Sequence, residues 1–195
     1  KLCNFDCVYC ECGWNKDGKG DGRFPSFTEI EKALQEKMSS LAAEGVNVDS
    51  ITFSGNGEPT IHPDFAKVID VTLRLRDEFF PKARVSVLSN ATMIGREEIA
   101  EALMRIDNPI LKIDASSDEL IRMINKPTGP YRLAEVVENH ARPQQIAMEE
   151  GVRLDDVLGG VEHGAGVVQK AGALRMMEPL GRREPLQLVA CQTQH

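Results

Sequence analysis

Long hydrophobic runs are missing from this sequence: no apolar stretch approaches the ~20 residues that a helix needs to cross a bilayer. Positive charge is not in excess either. The formal net charge is −7, with an isoelectric point near 5.2. That balance removes any general electrostatic attraction to nucleic acid or an anionic membrane, so a nucleic-acid substrate is disfavoured. Lys16, Lys19 and Arg23 are the basic residues nearest the cysteines, and they read as a solvated loop. Aromatic residues are few, with one Trp, two Tyr and seven Phe, and none lies beyond Tyr131. Cysteine is scarce outside one short segment: four of the five lie within residues 3–12, and the other is Cys191. A disulfide framework spreads its cysteines so as to close long loops. Clustering points instead to metal, and hence to a reducing, cytoplasmic setting. The opening residues carry no secretory pattern, but the first is Lys1, so the true start of the protein is expected to lie further upstream.

What is present is ordinary for a globular chain. At 195 residues, 42% hydrophobic and 27% charged, it has room for one sizeable core. Residues 28–44 set Ile30, Leu34, Met38 and Leu41 on one helical face. Ser26 with Glu29, or Thr28 with Glu31, offers a capping box, and Gly45 a stop. Residues 50–54 read as a buried strand, followed by the loop GNGEPTIHP. Pro63 suits the first turn of a second helix, whose apolar stripe is Phe65, Val68, Leu75 and Phe79. Residues 84–89 form a second strand, 96–106 a third helix through Ile99, Leu103 and Ile106, and 110–114 a third strand. Short apolar strands alternating with amphipathic helices predict a parallel α/β architecture.

Beyond residue 140 the pattern changes. Seven of the 16 glycines fall in 151–195, and strand-like character survives only in fragments such as VRLDDVLGGV and LQLVA. The expected division is therefore a folded unit over 1–140 and an atypical tail over 141–195. That tail is either helical or irregular, or foreign to the domain.

Cys3, Cys7 and Cys10 form C-x3-C-x2-C. Thiolates are preferred ligands of iron–sulfur clusters, because soft sulfur matches iron. Three of them on one loop hold three corners of a [4Fe–4S] cubane and leave the fourth iron open to another ligand. The competing reading is zinc, with Cys7 and Cys10 as half a site and Cys12 or His62 as recruits. No second C-x2-C exists to complete it. Cys12 is read as a bystander, and His62 as a loop or cap residue.

A second motif, Ser54–Pro59 (SGNGEP), directly follows the first strand. Glycines at 55 and 57 let the backbone approach a ligand, carbonyls there can accept from an ammonium group, and Glu58 adds charge. Ser89 and Asn90 end the second strand and Asp114 the third. Polar groups at such strand ends face a barrel's active-site mouth, or else cap the helices that follow.

The cysteine spacing, with Tyr9 before the last cysteine, and the G-N-G-E-P segment about forty-five residues later together resemble the radical S-adenosylmethionine (SAM) superfamily. Asn56 stands where the family's pattern has a glycine. The resemblance implies a partial (β/α)6 TIM-like barrel lacking its first strand and its last strands. It also implies a [4Fe–4S] cluster on Cys3, Cys7 and Cys10, and SAM on the open iron. An electron from the reduced cluster would cleave SAM to a 5′-deoxyadenosyl radical, which takes hydrogen from a substrate not identified by the sequence. Tyr9, Gly55, Asn56, Gly57, Glu58, Ser89, Asn90 and Asp114 are the implied SAM contacts, and Phe5 is placed to help bury the cluster. A reductant such as flavodoxin or ferredoxin is the implied partner, and no residue is assigned to the hydrogen-transfer chemistry itself. The run TFSGNGEPTIHPDF, with VLSNAT and LKIDA, most resembles the branch of wyosine-type tRNA modification enzymes and molybdenum-cofactor biosynthesis protein A. It is also similar to the activating enzymes of glycyl-radical proteins. Two other readings stand beside an oxidoreductase of this type: a small zinc-binding interaction module, and an inactive truncated piece with an exposed barrel edge.

Overall fold

The computed structural model describes residues 1–15, 22–54, 56–140 and the backbone of 186–189. Lys16, Lys19, Gly55, the run VRLDDVLGGV and Cys191 lie outside the described residues. Helix α1 spans Phe27–Ala43, strand β1 Val48–Phe53, helix α2 Phe65–Phe79, strand β2 Arg84–Ser89, helix α3 Glu97–Met104, strand β3 Asn108–Leu111 and helix α4 Asp118–Ile124. A further helical stretch covers 133–140. Strand β4, Leu186–Val189, lies in the expected tail, so the first four residues of the LQLVA fragment are strand. The sheet runs β3-β2-β1-β4, and every pairing in it is parallel.

Local chemistry accounts for these bounds. Ser26 and Glu29 form the capping box of α1, each side chain accepting from the other's backbone N–H, so the Thr28–Glu31 alternative falls away. Gly45 follows the helix at φ +70, a conformation costly for residues with a Cβ. Pro63 does not sit inside α2. The helix begins at Phe65 after Asp64, and a 3-10 turn over Pro59–Ile61 precedes it. The third strand also differs from expectation, ending at Leu111 rather than Asp114. β2 stops at Ser89, opposite Leu111, and after one further bond from Lys112 N to Ser89 O no strand remains to pair with.

One face of the sheet carries Ile51, Phe53, Val85 and Val87. These join Leu34, Met38, Leu41, Val68, Ile69, Leu75, Ile99 and Leu103 of the helices in a single core. Thr52, Ser86 and Asn108 share the other face in register, as do Leu88 and Ile110. That face is polar where the first is apolar: Asn108 donates to Ser86 Oγ at 3.1 Å, and the Ser50 and Thr52 hydroxyls pair at 3.0 Å. A parallel sheet buried on both sides would be apolar throughout. With all strands parallel, the loops after β1, β2 and β3 emerge at one edge, where ligands of open α/β sheets bind.

Candidate active site at the strand C-terminal edge

The cysteine loop lies along that edge and is fastened at three places. Its start pairs with the glycine-rich loop after β1. Leu2 N donates to Asn56 O at 3.2 Å, Glu58 N donates to Leu2 O at 2.9 Å, and Leu2 and Gly57 form a parallel bridge. This approach explains the glycine. Gly57 has φ +151, and a Cβ built on it would stand 2.0 Å from Leu2 O. Gly57→Ala is expected to lower stability by about 3 kcal/mol, since strain of this kind costs on the order of 1–3 kcal/mol before any clash. Urea denaturation checks this, and a midpoint equal to wild type would mean that the two segments are not in contact.

The second fastening is Asn4. Its Oδ1 accepts from Asn90 Nδ2 and its Nδ2 donates to Thr92 Oγ1, both at 2.7 Å. Thr92 returns to Asn90 Oδ1 through its backbone N–H at 3.1 Å and its hydroxyl at 2.7 Å. The third fastening is the end of α4. Asp6 N donates to Asn125 O at 2.9 Å, Val8 N to Ile124 O at 2.8 Å and Thr128 N to Asn4 O at 3.0 Å. Phe5 is buried here, edge-on to Tyr131.

Glu58 is 3% exposed, and its carboxylate collects the loops after β1 and β2. Oε1 accepts from Thr60 N at 3.1 Å, Thr60 Oγ1 at 2.6 Å and Ser89 Oγ at 2.7 Å, while Oε2 accepts from Asn90 N at 2.7 Å. Ser89 and Asn90 therefore cap no helix; α3 starts at Glu97, behind Arg96. Nor does Asp114 cap α4, which Ser117 does. Asp114 Oδ2 instead accepts from the Tyr9 hydroxyl and from Asn125 Nδ2, and Lys112 stands 3.3 Å away. Lys112 also donates to the Tyr9 hydroxyl, and its ammonium lies 4.1 Å above the tyrosine ring. Burial, then the hydrogen bond to Asp114, push the Tyr9 phenol well above its ordinary pKa. Tyr9 as a whole nevertheless remains 47% exposed.

Cys3, Cys7 and Cys10 are half-buried thiols outside any disulfide, and Cys12 is exposed. Cys3 Sγ accepts from Phe5 N at 3.4 Å, and Cys7 Sγ from Asn125 Nδ2 at 3.3 Å. Burial pushes the Cys3 thiol up to about 11 against the opposing Phe5 N–H, so metal binding there must displace a proton. Among the described residues no three His, Cys, Asp or Glu side chains converge to share one metal ion. A cluster makes a different demand, one thiolate for each of three separate irons. The donor set fits that demand: three soft sulfurs on one loop, two of them already accepting N–H···S bonds. His62 takes no part. Its ring is buried between Pro25 O, 2.9 Å from Nε2, and the Asp64 N–H, which donates to Nδ1 at 3.1 Å.

The structure thus brings the cysteine loop, with Tyr9, against Asp114 and against Asn56, Gly57, Glu58 and Asn90, with Ser89 bonded to Glu58. Sequence reading missed Asn4, Thr60, Thr92, Lys112 and Asn125. Asn4 carried a signal, standing between two of the cysteines. Asn125, followed by Lys126 and Pro127, reads locally as a helix stop and nothing more.

Among the described residues no helix is long and apolar enough to cross a membrane. Comparison with known proteins gives weak likeness over long stretches. A UPF0026 protein of Methanocaldococcus jannaschii is 26% identical over 181 residues, 92% of this chain and 54% of that protein. A biotin synthase of Pelodictyon phaeoclathratiforme is 32% identical over 102 residues, 52% of this chain and 28% of the synthase. The chain thus spans about half of the first relative's length and under a third of the second's. A solved structure, BtrN in complex with AdoMet and 2-DOIA, superposes with a TM-score of 0.40 at 22% identity, covering 63% of this chain and 46% of BtrN. The family model described as the radical SAM superfamily matches residues 1–150. With most of its length matched and its cysteine loop seated at the strand ends, this chain belongs to the radical SAM superfamily, whose members use a [4Fe–4S] cluster and S-adenosylmethionine.

Proposed function

We propose that this chain forms the cluster- and SAM-binding part of a radical SAM oxidoreductase built on a partial (β/α)6 barrel over residues 1–140. One observation carries the reading: segments 54 to 105 residues apart in sequence, each bearing an expected site residue, meet at one sheet edge around the cysteine loop. Cys3, Cys7 and Cys10 would hold the cluster, which when bound and reduced supplies the electron that cleaves SAM and so starts hydrogen abstraction. Everything else falls to the chain's own residues. Leu2, Asn4 and Asp6 hold the loop in place through Gly57, Asn90 and Asn125. Tyr9 presents its exposed ring beside the cysteines, suited to stack on an adenine, while Asp114 and Lys112 hold its hydroxyl. Asn56 and Gly57 border the same space with backbone carbonyls suited to an ammonium group, and Gly55 is assigned to the same role from its place in the motif. Glu58, Ser89 and Asn90 support that loop from beneath. The polar face of the sheet, with Ser50, Thr52 and Ser86, faces the side where a barrel interior would lie.

Within the superfamily, the run TFSGNGEPTIHPDF favours a likeness to the wyosine-type and molybdenum-cofactor branch, with no substrate assigned. The net charge of −7 argues against a broad nucleic-acid surface on this chain. A reducing compartment and a flavodoxin- or ferredoxin-type donor suit such a cluster. The experiment is anaerobic reconstitution with iron and sulfide, then EPR of the reduced protein with and without SAM. A [4Fe–4S]+ signal that changes on adding SAM supports the reading. A signal indifferent to SAM removes the cofactor site, and zinc in place of iron removes the cluster.

A further inference from the structure

We infer that Asn125 is a positioning residue for the cluster: its side-chain amide donates to Cys7 Sγ and so raises the cluster's reduction potential. The inference rests on the reading of Cys3, Cys7 and Cys10 as cluster ligands. Asn125 closes α4 and is 1% exposed. Its Nδ2 carries two protons and lies within hydrogen-bond distance of three acceptors that share them: Cys7 Sγ at 3.3 Å, the Tyr9 hydroxyl at 2.8 Å, and Asp114 Oδ2. Its own backbone carbonyl takes the Asp6 N–H at 2.9 Å, so one residue grips the cysteine loop by main chain and side chain together.

The amide is badly matched to a merely structural role. Oδ1 is buried without a hydrogen-bond partner, and stranding an acceptor in this way costs on the order of 1–3 kcal/mol. What the residue offers in return is its donor, delivered to a sulfur 118 positions away in the chain. The bond to Cys3 Sγ, by contrast, is local, from a backbone N–H two residues on. An N–H aimed at a ligand sulfur stabilises the charge added on reduction, and hydrogen bonds to sulfur are among the terms that set cluster potentials. The same amide ties Cys7 to Tyr9 and Asp114, so the cluster's ligand and the aromatic beside it are held in one geometry.

The test compares full-length wild type with Asn125→Ala, Asn125→Asp and Tyr9→Phe, all reconstituted anaerobically, by iron content and EPR-monitored redox titration without SAM. Asn125→Ala should keep its iron yet show a reduced-to-oxidised ratio about tenfold lower at the wild-type midpoint, a shift of about 59 mV for a one-electron couple. Asn125→Asp should fall further, because it removes the donor and adds a negative charge. Tyr9→Phe deletes a phenol that competes for the amide's protons but leaves the amide and the sulfur, so its potential should not fall below the wild-type value. Asn125 variants with full iron and an unmoved potential overturn the inference, as does a Tyr9→Phe fall as large as that of Asn125→Ala. If the Asn125 variants keep wild-type circular dichroism but lose iron while Tyr9→Phe still loads, Asn125 is needed to hold the cluster rather than to set its potential, and the inference is overturned. Where Asn125→Ala does not fold, Asn125→Asp, of the same size, decides by the same readout. A wild-type chain that takes no cluster sinks the proposed function itself, whereas a loaded wild type with unmoved variants sinks this inference alone.

Discussion

Replacing any one of Cys3, Cys7 or Cys10 by alanine is expected to drop bound iron from about four per chain to near zero after anaerobic reconstitution, by the stoichiometry of a cubane. The reason lies in the ligand count. Three thiolates on one loop are the whole protein contribution to such a cluster, and losing one leaves an iron that solvent can strip. No neighbour can substitute without moving the loop, which is bonded at Leu2, Asn4, Asp6 and Val8 to Asn56, Asn90, Thr92, Ile124 and Asn125. Cys12→Ala, by contrast, should retain the wild-type iron and sulfide. Cys12 is exposed and lies two residues beyond Cys10, just before the positive-φ turn at Gly13. Iron and sulfide assays on the four single variants check this. A Cys12→Ala chain as depleted as the other three would mean that the ligand set has been drawn one cysteine too short.

Glu58→Ala should be the most destabilising substitution outside the apolar core. The carboxylate is 3% exposed, and four donors point at it. Its removal strands the Thr60 hydroxyl and the Asn90 N–H and loosens Ser89, in a region where Thr60 is 0% and Ser89 4% exposed. Breaking a buried charged network from one side costs on the order of 3–5 kcal/mol, a large share of the roughly 5–15 kcal/mol that holds a domain together. Glu58→Gln should cost less, about 1–3 kcal/mol, since an amide oxygen can still serve one side of the network while its NH2 meets a donor on the other. Urea denaturation of the apo chain should show the midpoints falling in the order wild type, Gln, Ala. A Glu58→Ala midpoint equal to wild type would remove Glu58 from the frame of the site. Glu58→Gln also separates support from ligand contact. If it loads a cluster whose EPR signal no longer responds to SAM, the carboxylate faces the cofactor as well as the loops.

Both predictions concern residues whose chemistry could be read in advance but whose surroundings could not. The spacing of Cys3, Cys7 and Cys10 places three sulfurs on one loop whatever the rest of the chain does. The helices too were legible, because Leu34, Met38 and Leu41 or Phe65, Val68 and Leu75 repeat at the period of a helix and must find a common apolar surface. Ser26 and Glu29 mark the start of α1 by a bond between neighbours in sequence. Asp114 shows where such reading stops. Its type and its place after a strand were apparent, yet the strand ends at Leu111, because β2 gives out at Ser89. Asp114 consequently sits in a loop and bonds to Tyr9 and Asn125 rather than to a helix start.

The sequence by itself therefore determined the spacing of the three cysteines, the order of helices and strands from α1 to β3, and the superfamily. Each is written in spacings of a few residues, over which backbone geometry is predictable. Only the tertiary structure decided which polar groups meet. Asn125 reaches Cys7 across 118 positions, and Asn4 reaches Asn90 across 86. Such partnerships depend on where the parallel strands end and on how α4 returns along the cysteine loop. A hydrogen bond takes its partner from space, and no local pattern in the chain records who that partner will be.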